Sequence, residues 1–528
     1  MSHSARHSRM FSFYQHAPRP LLLGLVTTLI LHILSGLSRE SSNFLLVALS
    51  CIVSTTYDIC ARVFGIKEGM VRDKRIPNKQ DWPFDIRTAT EQFELNPDLI
   101  HFSCCPNCFA LYPPLSDNVY PTKCTNRRTK TGEECGAQLN RKSESDSGQP
   151  TQRSRPIRCF AYQPLQSWLA RFLSRPGMVD ILKSSELDLD SRPQIVSDIL
   201  DGDAARQLLA SDGTPFLKRR AGELRLVFNL NIDWFNPYGS GKSGRHYSVG
   251  GIYMVCMNLP ISLRYQPENV YLAGIIPGPS EPSSDFELNH VLRPLVDSLL
   301  QLYHPGIIFE KIGIMPGLLV SCALLAVVCD LPGYRKVAGF AGIRSNHMCA
   351  FCKLLALDKA NFDVNSWPRW TRDELVAAAE RWLHSTNKED REAVFAETGI
   401  RWSELMRLPY WNPLRHGVVD AMHNLLLGDA QSHCRSLWKM DRGVAPNKRV
   451  APHSTEQQKD SFEQVAAAIK TGNERRLNNL RVMYLKAIAE DNRVHVPSKK
   501  NKATKAEYAS ALVQWVSIKL CSHCTISH

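Results

Sequence analysis

Leu224–Tyr238 reads LRLVFNLNIDWFNPY. Leu224, Leu226, Phe228, Leu230 and Ile232 are apolar at every second position, the period of a half-buried strand. Asn236-Pro237 and Gly239 then break the pattern. The stretch predicts a core strand ending at or near Asp233. A carboxylate in that place is either a turn or cap residue or a fixed metal ligand at the rim of a sheet.

The chain on either side decides between the two. Tyr247–Met257 (YSVGGIYMVCM) and Val270–Ile276 (VYLAGII) read as a second and third strand with short connections, which suits a meander. Asp285–Tyr303 has helical apolar spacing, with Asp285 as N-cap and Pro294 marking a kink or break. Leu318–Val328 (LLVSCALLAVV) is an almost continuous apolar run, either a strand buried on both faces or a buried helix. As a strand it can return across the helix and lie parallel to the first. Asp233 and Asp330 then meet at one rim. That is the arrangement of a ribonuclease-H-like α/β core, in which two acids hold two divalent ions ~4 Å apart for phosphoryl transfer.

The loop Gly239–Ser243 contains Gly-Lys-Ser after a strand. A phosphate-binding loop needs glycine where Asn236 stands, and the chain beyond is strand-like, so nucleotide binding is disfavoured. A loop beside the acids that brings Lys242 and Arg245 near phosphate fits better.

The 528 residues are 44% hydrophobic and 22% charged, the composition of a folded protein of about two to four domains. The net charge of +13 recurs in clusters such as Arg153, Arg155 and Arg158, Lys218–Arg220, and Lys499, Lys500, Lys502 and Lys505. Such a balance fits a polyanionic partner. No cleavable signal is evident, so the 16 cysteines do not read as a secreted disulfide framework.

Cys105, Cys108, Cys124 and Cys135 are spaced C-x2-C-x15-C-x10-C among prolines and glycines. Zinc takes four soft ligands in a tetrahedron, and a C-x2-C knuckle supplies two from one turn. A loop-rich segment with so little core needs the metal to fold. Cys104 is a spare thiol beside the pair. Cys349 and Cys352 form a second knuckle, and His423 and His433 could complete a Cys2His2 site with them. The alternative is ordinary hydrogen-bonding histidines.

Leu21–Leu37 is strongly apolar but contains Thr27, Thr28 and His32 and falls short of the ~20 residues of a membrane span. It reads as part of a buried helical pair with Phe44–Val53, or as a membrane anchor. Residues 160–215 and 365–407 look helical. The organisation expected is an N-terminal helical and linker region (1–100), a zinc-ribbon-like segment (101–140), a linker with helices (141–215), the core (216–360), a helical insertion (361–480) and a basic C-terminal region (481–528). Cys521-Ser-His-Cys524 resembles half a metal knuckle, which suggests a truncated chain.

The ordered blocks IDWFNPYG, YLAGIIPGP, VVCDLPGYRKVAGF, CAFC, RWSELMRLPYWNP and VVDAMHNLLLG resemble the CACTA (En/Spm-like) transposase family, in its fungal form, over roughly residues 100–450. The resemblance implies a nuclear cut-and-paste transposase that binds double-stranded DNA at terminal inverted repeats, with homo-oligomers possible. It implies an Asp-Asp-Glu triad working with Mg2+ or Mn2+. Asp233 matches the first acid, Asp330 is the best match to the second, and Asp420-x2-His423 matches the family's Asp-x2-His signature. The third acid departs from the pattern, because beyond residue 450 only Glu490 and Asp491 offer themselves, without a motif. Whether the chain is an enzyme therefore stays open at this stage. The alternatives are a catalytically dead, zinc-stabilised DNA-binding or interaction protein, and a membrane-anchored protein.

Overall fold

The computed structural model describes residues 17–33, 35–65, 81–93, 95–115, 119–141, 155–184, 195–218, 220–237, 247–282, 285–312, 315–440, 455–492, 494–497 and 503–523. Its centre is a mixed sheet of β1 (Ile100–Cys104), β2 (Leu111–Tyr112), β3 (Cys159–Tyr162), β4 (Glu223–Phe235), β5 (Val249–Cys256), β6 (Val270–Ile276), β7 (Ile307–Ile312), β8 (Met315–Cys329) and β9 (Gly417–Val419). The strands lie in the order β2-β1-β3-β6-β5-β4-β8-β7, and β9 also pairs with β8.

The alternating residues of β4 form one buried face, with Leu224, Leu226, Phe228, Leu230 and Ile232 in the main core. They pack with Leu288, Val291, Leu292, Leu295 and Leu299 of the Asp285–Tyr303 helix, and with Trp168, Leu169 and Phe172 of the Leu165–Leu173 helix. The opposite face carries Val227, covered by Leu200, Leu208 and Phe216. The apolar run near residue 320 is the strand β8. Cys322 and Leu324 face the first layer, and Ala323 and Leu325 face the second. Burial on both faces removes the need for alternation, which explains the unbroken apolar sequence.

β4, β5 and β6 form the expected antiparallel meander. β8 lies parallel to β4, with Leu224 opposite Val320 and Leu230 opposite Val327. The return is not direct, because β7 intervenes and pairs antiparallel with β8. Three further details refine the expectation. β4 runs through Asp233 to Phe235, since Trp234 pairs with Gly250 and Phe235 with Val249. The region 160–215 is not purely helical, since β3 joins the sheet between β1 and β6. The helix Asp285–Tyr303 continues through Pro294.

Near the N-terminus the helices Arg19–Ile33 and Arg39–Val63 pack through Leu21, Leu25, Leu29 and Leu46 against Trp82, Ile86 and Phe93. The first apolar run thus forms a helix of 15 residues, shorter than the ~20 needed to span a bilayer. Arg39–Val63 is long and apolar enough to cross a membrane, and 17% of its most apolar window is buried. Residues 372–384 and 388–398 are helical, each with a capping side chain at its start.

The chain divides into two units, Met1–Asp429 and Ala430–His528. The second has its own small core of Val465, Ala468, Leu477, Tyr484, Leu485 and Leu512, drawn from helices between Thr455 and His523.

Candidate active site and metal centre

β4, β8 and β9 run parallel, so their C-terminal ends share one edge. Asp233 lies near the end of β4, Asp330 directly follows β8, and Asp420 directly follows β9. The strand ends are tied together: the Ile232 N–H donates to Cys329 Sγ at 3.4 Å, and Cys329 pairs with Val419. Burial pushes the Cys329 thiol up to about 12, and the carboxylates of Asp330, Asp233 and Asp420 add to that rise. Tyr253 is raised by burial first and then by Asp233 and Asp420. A group near the rim therefore senses all three acids.

Asp233 and Asp330 line one cleft of about 190 Å³, together with Glu281 and Lys336. Ile232, Leu288 and Val337 supply apolar wall. Each aspartate is held by one backbone donor. Asp233 Oδ1 accepts from the N–H of Trp234 at 2.8 Å. Asp330 is the N-cap of the Leu331–Ala338 helix, and its Oδ1 accepts from Gly333 N–H at 2.7 Å. Among the described residues no donor binds either Oδ2. Two fixed carboxylates with oxygens left over are the hard donor set that Mg2+ or Mn2+ takes.

Glu281 arrives on the proline-rich turn after β6. Its Oε1 accepts from Ser248 at 3.0 Å and its Oε2 from Lys336 Nζ at 3.1 Å. Ser248 N–H donates to the Pro279 carbonyl, and Gly278 lies so close to Tyr247 and the Ser248 carbonyl that a side chain would collide. The turn is thereby clamped over the start of β5. Lys336 also lies 5.9 Å from the centre of the Trp234 ring. That ring covers Gly250 on the neighbouring strand, where a Cβ would fall 2.3 Å from a ring carbon.

Asp420 and His423 form a pair through Oδ2 and Nδ1. Burial works against the Asp420 charge, but the His423 and Met422 hydrogen bonds hold its carboxyl below the ordinary aspartate value. The bond to Asp420 raises His423, and Asp330 and Asp233 add to the effect from farther off.

The four N-terminal cysteines converge. Their sulfurs all lie within 4.8 Å of one another, and they are the one such group of His, Cys, Asp or Glu among the described residues. Cys105 and Cys135 are 3.7 Å apart, and Cys108 and Cys124 3.5 Å. A tetrahedron with Zn–S bonds of ~2.3 Å has edges of about 3.8 Å, so zinc fits. Asn107 N–H, Tyr112 Oη and Asn126 Nδ2 donate to Cys105, Cys124 and Cys108, the outer hydrogen bonds that orient thiolate ligands. Cys104 points away from this cluster into the main core.

Phe351 and Cys352 N–H groups both donate to Cys349 Sγ at 3.3 Å, the turn of a knuckle. His423 is taken up by Asp420. His433 stacks edge-on against Trp438 within the second unit. Among the described residues no third ligand converges with Cys349 and Cys352. Lys242 and Arg245 lie outside the described residues.

The segment that builds the cleft also carries the family signal. Residues 201–383 match the model of the transposase family tnp2. The tnp2 match spans β4 to β8 and includes Asp233, Glu281, Asp330, Lys336 and the Cys349–Cys352 turn. The cysteine cluster lies before it, and Asp420 after it. No curated protein matches the chain.

Sequence reasoning reached Asp233 and Asp330 but missed Glu281 and Lys336 as cleft residues. They lie in different segments, and neither carries a motif. Both stand inside the quoted blocks or beside them, so a comparison of the strand-end loops was the available signal.

Proposed function

We propose that this chain is a transposase-like enzyme that cleaves and transfers DNA strands by metal-assisted phosphoryl transfer at the Asp233–Asp330 cleft. The observation that carries the reading is the meeting of these two acids in one cleft, inside the tnp2 match. The meander β4-β5-β6 followed by parallel β8 and β9 supports a ribonuclease-H-like core. Asp420, directly after the third parallel strand, is a further acid at that edge of the sheet.

In this reading Asp233 and Asp330 hold Mg2+ or Mn2+. The ions, when bound, polarise the phosphorus centre and activate an oxygen nucleophile. The chain's own contribution is placement. The β4–β8 ladder fixes the spacing of the acids, and the cap bond to Gly333 fixes the Asp330 carboxylate. The apolar wall of Leu288 and Val337 limits water at the reacting phosphate. His423 holds Asp420 ionised beside them. The cysteine cluster takes zinc as a structural ion.

The DNA partner is read from the net charge of +13 and the family match. The block pattern supports a CACTA-type element, with terminal inverted repeats as the specific target and the nucleus as the place of action. The test is nicking of supercoiled plasmid by the zinc-loaded full chain with Mn2+. Nicking that disappears in both Asp233→Asn and Asp330→Asn supports the reading. Equal DNA binding by all three proteins with no nicking by any makes the chain a DNA-binding protein instead.

A further inference from the structure

The Glu281–Lys336 pair sits where the proposed reaction needs a cation. The cleft is lined by three carboxylates, Asp233, Asp330 and Glu281, against the single ammonium of Lys336. Its formal charge is therefore −2 before any ion binds. A phosphodiester is repelled from such a cleft. One divalent cation cancels the charge and two reverse it, so entry of the phosphate and entry of the metal are coupled by charge alone.

Lys336 is held in a specific way. Its ammonium is bonded to Glu281 Oε2 at 3.1 Å and lies over the Trp234 ring, 5.9 Å from its centre. Glu281 is fixed from the other side by Ser248, which is buried, and by the clamped turn at Gly278-Pro279. Lys336 stands on the helix that Asp330 caps, and both side chains line the same cleft. Both members of the pair are about one-third exposed, at 37% for Lys336 and 36% for Glu281, so the ammonium can leave Glu281 without crossing a core.

We propose that Lys336 is a phosphate-contacting residue for the DNA strand, stored against Glu281 and released to a non-bridging phosphodiester oxygen when a divalent cation occupies the cleft. The proposal rests on the metal-cleft reading above and adds a substrate contact and a release step to it. With the cation present, its positive charge competes with Lys336 for Glu281 Oε2, while Oε1 keeps its bond to Ser248. Lys336 then trades one anionic oxygen for another, and its long flexible stem suits a point-charge contact to phosphate. The design keeps the ammonium from drawing phosphate into the cleft before the metal is there.

The experiment measures binding of a short labelled DNA duplex to the zinc-loaded full chain, with and without Mn2+, by fluorescence anisotropy over a range of salt. Wild type is expected to bind more tightly with Mn2+. Lys336→Gln should lose about tenfold of that gain, the worth of one charge-assisted hydrogen bond, while Lys336→Arg keeps it. In Mn2+ the salt slope of Lys336→Gln should fall by about 0.9, one phosphate contact. Glu281→Gln should bind DNA more tightly than wild type without Mn2+, a gain that misfolding cannot produce. The double variant Glu281→Gln/Lys336→Gln should lose that gain. If the double variant keeps it, the gain is general charge removal and the proposal is wrong. If Asp233→Asn abolishes the Mn2+ effect and Lys336→Gln does not, the cleft reading stands and the Lys336 proposal alone falls. If wild type shows no Mn2+ effect, both fall together.

Discussion

Replacing Cys124 with serine tests what holds the N-terminal ribbon. Its local core consists of Cys105, Cys108, Cys124, Ala110 and Leu139. Without the thiols, one buried leucine and one buried alanine remain, with Tyr112 and Ala137 partly buried against them. Their burial contributes about 2–4 kcal/mol. A structural zinc ion contributes about 10–16 kcal/mol in small zinc domains at neutral pH. The metal is thus the larger effect by several-fold, and Cys124→Ser should open the segment 105–139. The main core should survive, because apart from Cys104 and Phe109 at the ribbon's edge its residues come from other elements. The ribbon remains tethered through β1, through the Arg128–Glu287 ion pair at 2.6 Å, and through Thr131, whose N–H and hydroxyl both donate to the Thr386 carbonyl. Hydrogen exchange followed by mass spectrometry reads this directly. The amides of Cys105, Cys124 and Leu139, bonded to the Ala110, Ala137 and Thr122 carbonyls respectively in the intact ribbon, should lose protection while β4 and β8 keep theirs. Unchanged protection over 105–139 in a zinc-free Cys124→Ser protein would refute the reasoning.

Other expectations follow from single contacts. Asp330→Ala removes both a helix cap and a charge, whereas Asp330→Asn keeps the cap. Urea unfolding should show a loss of about 1 kcal/mol for alanine and a few tenths for asparagine, and equal losses would show that the cap does not matter. Gly250→Ala places a Cβ 2.3 Å from the Trp234 ring. It should cost about 1–3 kcal/mol and shift the tryptophan fluorescence, since the ring has to move. For His423 and Asp420 the signs are opposite. The raised His423 value gives a contribution complete below the ordinary histidine range and lost as pH rises through the raised value. The lowered Asp420 value gives one complete above the ordinary aspartate range and lost as pH falls through the lowered value. NMR titration should find His423 above the ordinary value of about 6.5 and move it back toward that value in Asp420→Asn. No change in that variant would remove the pairing.

The sheet's centre was legible because its two main strands have distinct signatures. β4 alternates, and β8 is apolar throughout since both its faces are covered. Placing Asp233 beside Asp330 needed only strand order and a parallel return of the last strand across the helix. β9 was not legible, since three residues, Gly417–Val419, cannot display a period. Hence Asp420 was read from the Asp-x2-His spacing alone, without its place on the rim. β1 and β3 were hidden for a different reason. Their residues lie among cysteines, prolines and linkers, and the pairing is long-range: β3 adds to the edge of β6, and β1 adds to β3. The Glu281–Lys336 bond spans 55 positions, and no local pattern encodes a contact at that range. The cysteine ribbon was the converse case, because ligand chemistry fixes spacing within a short segment.

Asp233 and Asp330 share one metal site in the proposed mechanism. Calorimetric titration of Mn2+ into the zinc-loaded full chain, with a DNA duplex present to complete the site, tests this most directly. Saturable binding by wild type, lost in both Asp233→Ala and Asp330→Ala, is the predicted result. Binding that persists unchanged in either variant, or no binding by wild type, would contradict it.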